Sequence, residues 1–133
     1  MGKFAGNWKR VRSEGGAAFF LAFGAPQEKL EKAAKAELTT TVTSDGKNIE
    51  IKRTYSLDGE SKESVTKVVV GEVSDIVGPF GQSHKVEVKA DGEAVVASTT
   101  DGAITIRFEI VNDELVETFS GKGNTFKRFH ARA

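Results

Sequence analysis

The chain has 133 residues, 38% hydrophobic and 29% charged, a balance that fits one globular domain and excludes a disordered or membrane-embedded chain. Lys plus Arg and Asp plus Glu each number 19, so a dedicated nucleic-acid binder, which needs surplus cations to displace counterions from phosphate, is disfavoured. There is no Cys and only two His, which excludes disulfides, thiolate metal sites and cysteine nucleophiles and argues against a histidine metal site.

The opening residues Met1-Gly2-Lys3-Phe4 lack the apolar core of a signal peptide, so the cytoplasm is the expected compartment. A first strand precedes residue 15. From 15 to 36 the composition changes to Ala, Leu, Glu and Lys without β-branched residues, which predicts helix. Gly24 ends a first short helix, and Pro26 opens a second where its missing N–H is harmless. Glu28/Lys32 and Glu31/Lys35 then form i,i+4 pairs in the favourable order. The uncharged run from Gly15 to Gln27 is too short to cross a bilayer, which takes about 20 residues.

Beyond residue 36 the chain is punctuated by turns. Asp45-Gly46, Asp58-Gly59, Asp91-Gly92 and Asp101-Gly102 are hairpin signals, and Asn112-Asp113 and Gly121-Lys122-Gly123-Asn124 add two more. Gly78-Pro79-Phe80-Gly81 is a further turn. Between them apolar and polar residues alternate, as in Ile49-Glu50-Ile51-Lys52, His84 to Lys89 and Ile104 to Ile110. The layout is one strand, two short helices and about nine strands: an all-β antiparallel meander, either sandwich or barrel. No nucleophile elbow, phosphate-cradling glycine loop or zinc-ligand spacing is present, so an enzyme is not expected.

Phe4-Ala5-Gly6-Asn7-Trp8-Lys9 carries the Gly-x-Trp of an opening strand that resembles the lipocalins and the intracellular fatty-acid-binding proteins. The helix pair after Ser13-Glu14 and the terminal Lys127-Arg128-Phe129-His130 single out the intracellular family. The resemblance spans essentially the whole chain. It implies a ten-stranded, flattened β-barrel of the calycin type. A two-helix lid would lie between strands 1 and 2, over one cavity for a small hydrophobic carboxylate. Such proteins carry fatty acids, bile acids or retinoids through the cytosol as monomers, without cofactor, metal or catalysis.

The resemblance also implies site residues. Arg128 occupies the position whose arginine meets the ligand carboxylate, where a guanidinium stays charged and offers a planar fork. His130 shares its face and either donates to the same carboxylate or is simply packed. Arg53, on a face with Ile49, Ile51 and Tyr55, departs from the small hydroxyl residue common in the family and would add a second cation. Phe108 replaces the arginine that many members carry two strands before the last, while Arg107 lies on the charged face, which tilts the reading towards the liver and bile-acid-binding branch. Glu117 shares a face with Phe119; inside, it would need a partner such as Arg53, and a surface position is the simpler reading. Thr40, Ser64, Thr66 and Ser98 are candidates for a wet lining.

Phe19, Phe20 and Phe23 cannot share one helix face, since Phe20 points away from the other two. That predicts a partly exposed apolar portal, completed by Leu57, Asp58 and Phe80 in turns that the family places there. Lys29, Lys32 and Lys35 would steer the lid to anionic membranes during transfer. Two further alternatives are a secreted lipocalin-like carrier, disfavoured by the missing signal and cysteines, and a filled barrel acting as an interaction or protectant protein.

Overall fold

The computed structural model describes residues 4–24, 26–77 and 83–133, so Phe80 and the turn around it lie outside the described residues. In chain order the elements are β1 (Gly6–Glu14), α1 (Gly16–Ala22), α2 (Gln27–Lys35), β2 (Glu37–Asp45), β3 (Asn48–Leu57), β4 (Glu60–Val69) and β5 (Val73–Val77). They continue with β6 (Ser83–Asp91), β7 (Ala94–Thr99), β8 (Thr105–Val111), β9 (Glu114–Gly121) and β10 (Asn124–Arg132). The sheet runs β4-β3-β2-β1-β10-β9-β8-β7-β6-β5. Its edges β4 and β5 approach each other and leave the barrel nearly closed. Ser74 Oγ accepts the Val69 N–H across that seam at 3.2 Å.

Three of the hairpins form where two consecutive residues tolerate positive φ, as tight turns matched to strand twist require. Asp58 and Gly59 (52° and 79°), Asn112 and Asp113 (52° and 63°) and Lys122 and Gly123 (47° and 75°) all do so. The chain order and helix positions match the sequence reading, and the barrel takes the place of the sandwich-or-barrel alternative.

Pairing carries the inward residues around the wall in level rows. Ile106, Phe119 and Phe126 are direct lateral partners. One step along, Phe108, Glu117 and Arg128 line up; another step gives Ile110, Leu115, His130 and Arg10. On the opposite wall Arg53 lies between Thr40 and Ser64, and Leu38 pairs with Tyr55. Trp8, Leu38, Val86, Val88 and Leu115 are almost wholly buried and form the apolar base. The Trp8 indole donates to the Phe4 carbonyl at 2.9 Å, so its burial leaves that N–H satisfied. Ser98 corrects the expected lining: it pairs with exposed Glu87 and Thr105 on the outer face, while its neighbours Ala97 and Thr99 are buried.

The lid sits on β9 and β10 through aromatic rings. Phe19 is 2% exposed, and Phe20 meets Phe126 edge-on at 5.1 Å between ring centres. Phe20 lies on a different side of the helix from Phe23 and stays partly exposed, as does Phe23, and β10 supplies the ring on which Phe20 packs. Leu21 is the large apolar residue of α1 that is exposed. The chain enters α1 through Gly15 at φ 75°, where a Cβ would overlap the Thr125 carbonyl oxygen. Gly15→Ala is therefore expected to lose more than the roughly 1–2 kcal/mol of a left-handed alanine. Gly24→Ala, at φ 81° with nothing within 4 Å of its Cβ, loses only that conformational part. Comparing the two melting temperatures checks this, and equal losses would show that the close approach to Thr125 does not hold the lid.

Candidate ligand-binding site

Glu117 lies at the centre of the barrel with a side chain 0% exposed. Arg53 reaches it from β3, and three strands (β2, β1 and β10) separate β3 from β9 in the sheet, so the contact crosses the interior. It is a fork-to-fork pair: Nη1 donates to Oε1 and Nη2 to Oε2, each at 2.8 Å. His130 Nε2 lies 2.7 Å from Oε1. Arg128 Nη2 stands 3.5 Å from Oε2, outside good hydrogen-bond range, while its Nη1 donates to the Tyr55 hydroxyl at 3.0 Å. The Arg128 guanidinium also lies 5.0 and 5.4 Å from the ring centres of Phe119 and Phe126, which ties the polar cluster to the lid aromatics.

These contacts decide the protonation states. Burial opposes the charge on Glu117, but Arg53, then Arg128 and the His130 hydrogen bond outweigh it and hold the carboxyl well below the usual range. Burial likewise works against the Arg53 cation, and the Glu117 charge more than restores it. An ionised carboxylate only accepts, so His130 Nε2 carries a proton. The Arg53 and Glu117 charges offset each other, and the Arg128 guanidinium beside them adds positive charge to the cluster.

Three buried polar atoms have no hydrogen-bond partner among the described residues: Arg128 Nε, His130 Nδ1 and Thr40 Oγ1. They are a guanidinium donor, an imidazole nitrogen and a hydroxyl that can donate or accept. Leaving such groups unmet is unfavourable by about 1–3 kcal/mol each, so the interior is chemically complementary to a polar head.

All seven residues expected at the ligand share the inner wall: Arg128, His130, Arg53, Tyr55, Phe108, Phe119 and Thr40. The contacts join Arg128, His130, Arg53 and Tyr55 through Glu117. Phe108 is half-buried beside Glu117 and packs on the core, while Arg107 faces outward to Asp91 and Glu109, as its charged face predicts. Leu57 pairs with Glu60 at the end of β3, away from the cluster. The surface reading of Glu117 is overturned, because Arg53 supplies the partner that burial demands.

Arg10 is the residue the sequence reading passed over. Its Nη2 donates to the carbonyls of Ala36 at 2.6 Å and Ala33 at 2.9 Å, closing the C-terminal end of α2. Burial and then the Arg128 charge depress its pKa. The alternation Trp8-x-Arg10 already places it on the buried face of β1. At the other helix Lys122 donates to the Ala22 carbonyl at 3.1 Å and lies over the Phe23 ring.

Residues 3–133 match the lipocalin / cytosolic fatty-acid binding protein family. The chain is 26% identical over 129 residues to fatty acid-binding protein 1, liver, of Ambystoma mexicanum, covering 97% of this chain and 98% of the relative. Among solved structures it is similar to the REP1-NXSQ fatty acid transporter (TM-score 0.90, 19% identity, 100% of this chain and 98% of that one). It is also similar to the zebrafish ileal bile acid-binding protein complexed with cholic acid (TM-score 0.79, 23% identity, 98% and 99%).

The depressed Glu117 carboxyl links stability to acid. Its contribution is fully present above the ordinary glutamate value of 4.5 and is lost as pH falls through the lower folded-state value. Glu117→Gln is expected to lower stability at neutral pH by about 3–5 kcal/mol, since it leaves buried arginines without their counter-charge. It should also flatten the fall in melting temperature below pH 4.5, having no proton to take up. Parallel curves for the two proteins between pH 7 and 2 would contradict this.

Proposed function

Because the chain belongs to the lipocalin and cytosolic fatty-acid-binding protein family, we propose that it is a carrier for a long-chain fatty acid or similar amphiphilic carboxylate. In this reading it works as a cytoplasmic monomer, without cofactor or metal, and does not catalyse a reaction. The observation that carries the reading is Arg128 Nε, a buried donor on a charged group with no partner among the described residues. A carboxylate at that edge meets the net positive charge of the cluster, and Phe108, Phe119 and the lid phenylalanines offer the chain an apolar path towards the mouth. The names of the axolotl relative and of the REP1-NXSQ structure both refer to fatty acids.

A second reading, a hydroxylated bile-acid-like ligand, is favoured by His130 Nδ1 and Thr40 Oγ1. A hydroxyl can donate or accept at either atom, whereas a carboxylate only accepts. Phe108, standing where a second carboxylate-binding arginine would be, fits both readings better than a retinoid. Exchange at a membrane would use the exposed Leu21 together with Lys29, Lys32 and Lys35 on α2. Transfer to anionic vesicles should then speed up with vesicle concentration, and a concentration-independent rate would remove this step.

Calorimetric titration of delipidated protein with oleate tests the main reading. Saturable binding at micromolar affinity or tighter, about −8 kcal/mol, is expected. Arg128→Gln should weaken it at least about tenfold, or about 1.4 kcal/mol, in a protein that still melts cooperatively. Saturation by cholate alone would shift the assignment to the hydroxylated class. Binding of neither would leave a filled barrel serving as an interaction or protectant protein.

A further inference from the structure

We propose that Glu117 is a resident counter-ion that sets the head-group specificity of the cavity, occupying Arg53 so that an incoming anion is left with Arg128 alone. The inference rests on the carrier reading above and concerns the charge that the carrier selects.

The geometry separates the two arginines. Both terminal nitrogens of Arg53 are engaged by Glu117 at 2.8 Å in the planar fork-to-fork arrangement that suits a carboxylate best. Glu117 therefore occupies the place a ligand carboxylate would take on that cation. Arg128 is held loosely, at 3.5 Å from Oε2, with Nε unpartnered among the described residues. A ligand anion displaces little at Arg128, whereas at Arg53 it would have to expel a carboxylate that belongs to the wall.

Every charged or titratable group assigned to this cluster is in place on a strand. Arg53 and Tyr55 come from β3, Arg128 and His130 from β10, and Arg10 approaches from β1. His130 Nε2 donates to the same carboxylate and keeps it turned towards Arg53. The consequence is a cavity in which Arg53 is neutralised within the wall and Arg128 is the guanidinium left with an open donor. It accepts a single negative charge and is tolerant of an uncharged head, because the resident carboxylate already meets much of the cationic field.

The test compares two probes with the same chain, oleate and oleyl alcohol, on wild type and on Glu117→Gln. Removing the resident charge frees the Arg53 fork, so the affinity ratio of oleate to oleyl alcohol should rise about tenfold or more. An unchanged ratio in a folded Glu117→Gln protein overturns the proposal.

The double variant Arg53→Met/Glu117→Gln removes both members of the buried pair, keeps the net charge and guards against a single variant that does not fold. It should bind oleate within a few-fold of wild type or more tightly, since Arg128 is the anion's partner and is released from Glu117. A loss of oleate binding of about tenfold or more in that folded double variant would identify Arg53 as the head-group partner and overturn the proposal. Failure of wild type to bind either probe is a different result. It refutes the carrier reading itself and this inference with it.

Discussion

A carboxylate buried in the middle of a barrel is the constraint around which this molecule is arranged. Glu117 has no access to solvent, so its charge survives only because Arg53, His130 and Arg128 converge on it from two other strands. Arg53 comes from a wall that is not a sheet neighbour of β9, and the pair consequently ties opposite sides of the barrel through the interior. An apolar cross-link of similar volume would hold the two walls as well. The ionic one also leaves a local excess of positive charge and a set of buried polar atoms in need of partners.

The lid depends on the same economy of charge. Each short helix ends with carbonyls that have no partner within the helix, and each is met by a cation from the barrel. Lys122 closes α1 from the β9–β10 turn, and Arg10 closes α2 from β1. Between these two points the phenylalanines of α1 lie on Phe119 and Phe126, whose faces also receive the Arg128 guanidinium. The aromatic seat of the lid and the polar cluster thus share residues. A change in the position of Arg128 is felt directly at the rings on which α1 rests.

Much of this architecture was legible along the chain. Asp-Gly, Asn-Asp and Gly-rich turn residues marked the hairpins, and two-residue alternation assigned Arg53, Tyr55, Arg128 and His130 to faces with buried neighbours. Alternation equally set Arg107 apart from Phe108. For Glu117 the pattern was correct and the conclusion drawn from it was not. It shares a face with Phe119, and Arg53 was its only suggested partner, yet nothing local shows that β3 and β9 meet. Ser98 illustrates the reverse failure, a small polar residue in a strand apolar enough that either face could be buried.

What the sequence by itself determined is local: strand and turn positions, the helix pair after β1, and the parity that puts alternate residues on one face. These follow from backbone sterics and hydrogen-bond periodicity, which act over a few residues. Closure of the sheet decided the rest. Only when β1 pairs with both β2 and β10 does Arg53 come within reach of Glu117, Arg10 beneath the end of α2 and Phe20 against Phe126. Those contacts join residues 64, 26 and 106 positions apart. Their strength depends on the low-dielectric space that the closed barrel creates, a property of the enclosed volume that no stretch of chain possesses alone.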